Sequence, residues 1–342
     1  MPSTIKDVAK KAGVGIGTVS RVFNSSPLVS QETQQKVLQA ARELDYYPDA
    51  SARRLVQGKT RIIAFVERHS PRQSYVDAFM AEVLRGIHYV CLEENYHVLI
   101  EPQTSPNSGV LRLLHLVREK HADGMIISGP RFNDELIISL KQENIPVVLQ
   151  GFLPGSDLPS VDVDNLGGAK TAVDHLIRLG HKRIGLITNG PLIYSAALAR
   201  QQGYEAALRE SNLPLDPDLL REGEFNPESG ARAMKSLLAL SNPPTAVFIA
   251  SDMVAIGVIQ AIRKARLKIP QDIALVGFDD IPWAAYLSPG LTTIRLPAQE
   301  IGQQAAKLLI TFLEGNTPSK TKIFLPTKLI IRDSCGAKQI NN

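Results

Sequence analysis

With 342 residues, 44% of them hydrophobic, the chain is too long for one ordinary domain and apolar enough for a sizeable core with an appendage. Its two cysteines, Cys91 and Cys335, exclude a disulfide or cysteine-based metal framework, and no run of about eighteen apolar residues is present to span a membrane. The net charge of +4 is unevenly placed: residues 1–60 hold nine Lys/Arg and five Asp/Glu, which accounts for all of it, and a phosphate-facing module is expected there. The start carries no apolar targeting run, so a reduced, cytoplasmic setting is expected.

In chain order, residues 1–48 read as short helices. Ile5, Val8, Ala9 and Ala12 recur at helical spacing, and Gly13-Val14-Gly15 breaks that helix. A second helix carries Val19, Val22 and Phe23. Ser30 is the expected N-cap of a third, with Val37, Leu38, Ala41 and Leu44 on one face, and Pro48 stops it. Ala9 is small enough to let the second helix cross close by, Gly13 permits a tight turn, and Val14, Val19 and Val22 pin the second helix to the first. That is a helix-turn-helix in physical terms. It leaves Ile16, Gly17, Thr18, Ser20 and Arg21 for DNA, where the start of the second helix meets base edges. Arg21 suits a bidentate grip on guanine or a phosphate clamp. A plain three-helix bundle is the bland alternative, but basic bias, turn chemistry and small-residue spacing coincide only in the DNA-binding reading. The triplet Gly13, Gly15, Gly17 is no dinucleotide loop, because a helix precedes it and the spacing is wrong.

Residues 49–59 form a short link in which Asp49 suits an N-cap; so few residues do not stay helical alone. From Ile62 the pattern changes. Apolar runs at Ile62–Val66, His97–Ile100, Gly124–Ile127, Pro146–Leu149, Ile184–Thr188, Ala246–Ala250 and Ala274–Phe278 alternate with amphipathic helices. These helices include Ala78–Glu94, Leu111–Glu119, Gly167–Leu179, Ala196–Arg209 and Val254–Arg263, with Cys91 on an apolar face. Repeated strand-helix units imply parallel sheets covered on both faces, and their number implies two doubly wound halves with a cleft between them.

The motifs Thr4-Ile5-x-Asp7-Val8-Ala9-x-x-Ala12-Gly13-Val14, Thr18-Val19-Ser20-Arg21-Val22-x-Asn24 and Val29-Ser30-x-x-Thr33 resemble the headpiece of the lactose/galactose/purine repressor family, the LacI-type regulators. Three later segments are similar to that family's sensor: Leu179-Gly180-His181-x-x-Ile184-Gly185, Asp252-Met253-x-Ala255-Ile256-Gly257 and Val276-Gly277-Phe278-Asp279-Asp280. The resemblance covers essentially the whole chain. It implies an α-helical helix-turn-helix headpiece (1–48), a hinge (49–59) and an α/β, two-subdomain, periplasmic-binding-protein-like (type I) sensor (60–335), with a tail at 336–342. The expected halves are an N-subdomain of 60–160 and 293–322 and a C-subdomain of 161–292 and 323–335.

By the same resemblance, Ile16 and Gly17 occupy two specificity positions and Arg21 a third, with Thr4, Thr18, Ser20, Asn24 and Ser30 also on DNA. Arg53 and Arg54 would hold phosphates, and Leu55 would wedge a minor-groove step. Gly15 stands where the family usually has Ser, removing a hydroxyl, so specificity would lean on Ile16, Arg21 and DNA shape. In the sensor, Arg200 matches the family's ligand-gripping arginine, facing Asp279; a carboxylate and a guanidinium together hold hydroxyls or a polar ring. Phe225 matches an aromatic wall, Phe152 is its expected counterpart, and Tyr194 and Ser251 are placed in the same effector site. Ser251 replaces a frequent Asn and Leu296 a frequent Gln. Asp252 is expected to N-cap a helix, and His181 to act in a turn or cap.

The expected function is effector-controlled binding of a pseudo-palindromic operator by a homodimer, with a sugar or sugar derivative as effector and neither cofactor nor metal. A purine- or nucleoside-responsive regulator and a solute-binding receptor are the alternatives. The receptor would need export, for which no signal is seen. An enzyme reading, with Asp252, Asp279 and Asp280 as paired carboxylates, leaves the helix-turn-helix unexplained. The tail has no heptads, so no coiled-coil tetramer is expected. Leu55→Ala should weaken operator binding while leaving effector binding intact; an anisotropy titration showing unchanged operator affinity would rule out the wedge.

Overall fold

The computed structural model describes residues 3–23, 27–47, 59–68, 77–102 and 109–337. Asn24, Arg53, Arg54, Leu55 and most of the expected hinge therefore lie outside the described residues. The chain divides into two compact units, Met1–Thr60 and Arg61–Asn342.

The first unit is three helices, α1 (Ile5–Ala12), α2 (Ile16–Phe23) and α3 (Gln31–Glu43). The Asp7 carboxylate reaches back to accept from the Thr4 N–H (2.8 Å) and hydroxyl (2.7 Å), closing the first turn of α1. Gly13, in the left-handed region at φ 68°, ends α1, and the Val14 N–H bonds to the Ala9 carbonyl (3.0 Å). Ser30 caps α3 as expected, accepting from the Thr33 N–H (3.4 Å). Val8, Ala9, Val19, Val22, Val37, Ala40 and Ala41 form the small core.

The second unit holds two six-stranded sheets. In chain order the elements are β1 (Ile62–Glu67), α4 (Ala78–Glu93), β2 (His97–Pro102), α5 (Gly109–Arg118), β3 (Gly124–Ser128), α6 (Glu135–Gln142), β4 (Val147–Gln150) and β5 (Ser160–Val163). Then come α7 (Asn165–Arg178), β6 (Ile184–Ile187), α8 (Ser195–Glu210), β7 (Leu220–Arg221), α9 (Pro227–Leu238), β8 (Ala246–Ile249), α10 (Asp252–Lys264) and β9 (Ala274–Asp279). The chain ends with β10 (Thr293–Arg295), α11 (Ala298–Leu313), β11 (Lys322–Leu325) and β12 (Lys328–Ile330). The first sheet runs β11-β5-β4-β3-β1-β2 and is parallel throughout. The second runs β12-β10-β9-β8-β6-β7, parallel except for the antiparallel edge β12.

The expected subdomain boundaries need correction. Residues 161–163 stay in the first sheet, paired through β5 with β4 and β11. Residues 293–295 stay in the second, beside β9, and residues 323–325 return to the first. The chain thus crosses between halves at about 164, 296–297 and 326–327. Periodicity marks a strand but not the sheet that pairs it. Strands β5, β7, β10, β11 and β12 were not expected at all. Two of them, β11 and β12, are short edge strands with apolar runs of only three residues, Ile323-Phe324-Leu325 and Leu329-Ile330-Ile331.

Helices α4 and α11 share the first half's outer layer, and they meet through glycines. A Cβ at Gly86 would run into the Gln299 carbonyl, and one at Gly302 into that of Val83. Backbone on the far side leaves no side chain to yield. Gly302→Ala should lower stability by about 2 kcal/mol or more, read as a fall of several degrees in Tm; an unchanged melting curve would refute the close packing.

Candidate nucleic-acid interface and ligand cleft

Helix α2 buries Val19 and Val22 and turns its other side outward. Ile16 is 46% exposed, Gly17 and Arg21 are exposed, and Thr18 and Ser20 are half-buried. The Gly15 carbonyl starts the helix, accepting from the Thr18 (2.9 Å) and Val19 (3.2 Å) N–H groups. With no side chain at 15, the first N–H groups of α2 lack a side-chain cap and face outward, a ready donor set for a phosphate. A Cβ at Gly15 or Gly17 would meet nothing within 4 Å, so their smallness serves the exposed surface and not the core. Thr4 and Ser30 are exposed at the starts of α1 and α3.

In the second unit, a cavity lies between the sheets, beyond the carboxyl ends of the parallel strands. Ser128 ends β3 and Gly129 follows it, Gln150 ends β4 and Gly151 follows it, and Asp162 belongs to β5. Asn189, Ser251 and Asp279 end or follow β6, β8 and β9. Open α/β sheets bind ligands at such strand ends.

Arg200, on α8, is buried at the centre. Its Nε donates to Asn165 Oδ1 (2.9 Å), and Nη1 donates to the Ala250 carbonyl (2.6 Å) and to Asp279 Oδ1 (3.4 Å). The guanidinium also lies over the Phe278 ring, 4.0 Å from its centroid. Asp279 sits at φ 116°, a backbone that non-glycine residues rarely hold, and such strain gathers at functional sites. Burial pushes its carboxyl up to about 7, against the opposing pull of Arg200. The Ser251 hydroxyl donates to Asp279, so this position supports the carboxylate.

Tyr194 and Phe225 stand edge to face at 4.9 Å and form one wall. Leu296 lines the cavity as an apolar surface where a Gln would offer an amide. Phe152 does not join them. The turn at Gly151 (φ 116°) carries it to a neighbouring pocket, where it packs on Phe324 at 5.2 Å beneath the Lys322 ammonium. Asp252 is not the N-cap of α10: that position is Ser251. Its buried carboxylate instead accepts from Thr293 Oγ1 (2.8 Å) and the Ile281 N–H (3.1 Å), bracing the turn after β9. His181 pins its turn to Thr245 Oγ1 (3.0 Å).

The sequence reading missed Asp77, Asp162, Gln150 and Asn189, all of which line the cavity. Gln150 and Asn189 carried a usable signal, since each ends or closely follows an apolar run.

The two halves meet across the cleft mouth. The Phe132 N–H bonds to the Ile193 carbonyl (2.9 Å), the Ser195 N–H to that of Pro130 (3.2 Å), and Arg131 Nη2 to the Tyr194 hydroxyl (2.5 Å). The cavity left inside is about 80 Å³, room for several waters. A ring-sized ligand therefore enters only if these contacts part.

A basic helix-turn-helix headpiece joined to a two-sheet ligand cleft defines a ligand-sensing, DNA-binding regulator. A family model described as bacterial regulatory proteins, lacI family, matches residues 4–49, and one for a periplasmic binding protein-like domain matches residues 173–335. The HTH-type transcriptional repressor CytR of Escherichia coli K12 is 37% identical over 337 residues, covering 98% of this chain and 97% of that protein. The HTH-type transcriptional regulator CelR of Thermobifida fusca is 33% identical over 336 residues, covering 97% and 98%. Among solved structures, a CelR–cellobiose complex matches with a TM-score of 0.76 at 32% identity, covering 97% of this chain and 99% of that one. The Lac repressor dimer bound to operator and the anti-inducer ONPF matches with a TM-score of 0.85 at 28% identity, covering 98% and 100%. The chain belongs to the LacI family and is a DNA-binding transcriptional regulator.

Asp279 holds its proton more tightly in the folded chain than in the unfolded one. Ionising it therefore costs stability as pH rises from the ordinary carboxylate value toward 7. Asp279→Asn lacks this term. Its Tm relative to the parent should improve between about pH 5 and about pH 8, and a difference independent of pH would contradict the raised carboxyl.

Proposed function

We propose that the protein is a cytoplasmic homodimeric repressor that reads a pseudo-palindromic operator, and that a sugar or nucleoside in the sensor cleft sets its operator affinity. The observation that carries this reading is the buried Arg200–Asp279 pair at the strand ends between two sheets. A guanidinium and a carboxylate in one cleft suit a polyhydroxylated ring or a polar heterocycle. The relatives support both ends of the assignment, one solved with cellobiose and another as a dimer on its operator. A headpiece this small reads a half-site, and two related by a twofold axis read a near-palindrome. A solute receptor would leave the exposed face of α2 without a purpose.

Ligand and DNA then act through one equilibrium. Effector draws the sensor halves into one arrangement, and operator favours one arrangement of the two headpieces. Linkage requires the operator to change effector affinity by the same factor by which effector changes operator affinity. Arg200→Ala should abolish the effector response while leaving operator affinity within about twofold of the parent's. Calorimetric titration of the intact dimer, with and without operator, checks both statements. Equal effector affinities in the two titrations, alongside an effector-dependent operator affinity, would sink the mechanism.

A further inference from the structure

The charge of the cleft restricts what enters it. Among the described residues lining the cavity, Arg200 is the only Lys or Arg, against three carboxylates, Asp77, Asp162 and Asp279. A fourth, Asp252, is buried beside them. Nε and Nη1 of this guanidinium are engaged by protein acceptors, Asn165, Ala250 and Asp279, which leaves its Nη2 edge for a ligand. Arg68 and Arg131 do not line the cavity; Arg68 is paired with Asp134, and Arg131 is held to the Arg68 carbonyl and the Tyr194 hydroxyl at the cleft mouth, while Arg68 Nε and Arg131 Nε are buried without a hydrogen-bond partner among the described residues.

A second feature points to a ligand independently. Gln150 and Asn189, each 7% exposed, line the same cavity, and Gln150 Oε1 and Asn189 Oδ1 have no hydrogen-bond partner among the described residues. Buried acceptors left unpaired are costly, and a ligand O–H or N–H removes that cost. The cavity is therefore rich in acceptors and poor in free cations.

We infer that the effector is an uncharged or cationic molecule with several O–H or N–H donors, and that the cleft rejects its phosphorylated or carboxylated counterpart. This rests on the reading of the cleft as the effector site. Like charges brought together in a dry site are strongly repelled, and a bound phosphate would find one guanidinium, already paired with Asp279, to set against three carboxyl groups. Above about pH 7, where Asp279 has ionised, the carboxylates act as a filter against anions, and the two unpaired amide oxygens select for donors.

The test uses the full-length protein and matched pairs: glucose and glucose 6-phosphate, cellobiose and its 6-phosphate, adenosine and its 5′-monophosphate. Glucosamine serves as a cationic probe. Binding is read by thermal shift and calorimetry, with Arg200→Ala as the control for location. Any parent compound that binds should do so at least roughly a hundredfold more tightly than its phosphate. Asp77→Asn removes one ionisable carboxyl while keeping the cap on α4, since Asn caps a helix as well as Asp does. This variant should narrow the discrimination roughly tenfold. A phosphate that binds as tightly as its parent, or a ratio unmoved in Asp77→Asn, overturns the filter and leaves the cleft as the effector site. Binding that persists in Arg200→Ala, or silence across every pair, overturns the cleft reading and the filter with it.

Discussion

One buried guanidinium organises the sensor. A cation taken out of water is tolerated only when acceptors surround it, and Arg200 has gathered its acceptors from several elements. It ties α8 to the first residue of α7, to the end of β8 and to the end of β9. Asn165 then donates its amide to Asp162 (3.0 Å), a residue of the first sheet. The network centred on one charge thus runs from the second half into the first, beside a point where the chain crosses. Replacing such a charge leaves its acceptors inside the sensor as unpaired buried groups.

The strained turn at Asp279 follows from the same centre. Its backbone would not hold φ 116° unless the surroundings determined it. Asp252, Thr293 and the Ile281 N–H supply that frame from beneath. The surplus of carboxylates raises the cost of the closed cleft and pushes their protons up: Asp252 by burial first and by the Asp279 charge second. In the proposed mechanism, a ligand that relieves these unfavourable electrostatics would bias the arrangement of the two halves.

The headpiece obeys the opposite rule. Its core is seven small or β-branched residues, and the outer side of α2 is left open: Ile16, Gly17 and Arg21 are exposed. The proposed DNA contact would draw on an excess of positive charge and on helix N-termini, both of which need exposure to operate. The regulator therefore couples a buried, desolvated recognition site to an exposed, electrostatic one.

The sequence by itself determined what depends on local pattern. The helix-turn-helix rests on spacings of three and four with glycine at the turn, and the Gly13 turn and the Ser30 cap stand where they were expected. The alternation of apolar runs and amphipathic helices was enough for two parallel sheets. Arg200, Asp279, Phe225, Tyr194 and Ser251 were legible through the family resemblance and do converge on one cavity. Tertiary structure alone decided which sheet takes β5, β10 and β11, because pairing joins residues far apart in the chain. It turned Phe152 away at Gly151, moved Asp252 from a cap to a brace, and brought Asp77, Asp162, Gln150 and Asn189 around Arg200. Those placements depend on where loops meet across a cleft, and no spacing within one segment encodes the distance between two.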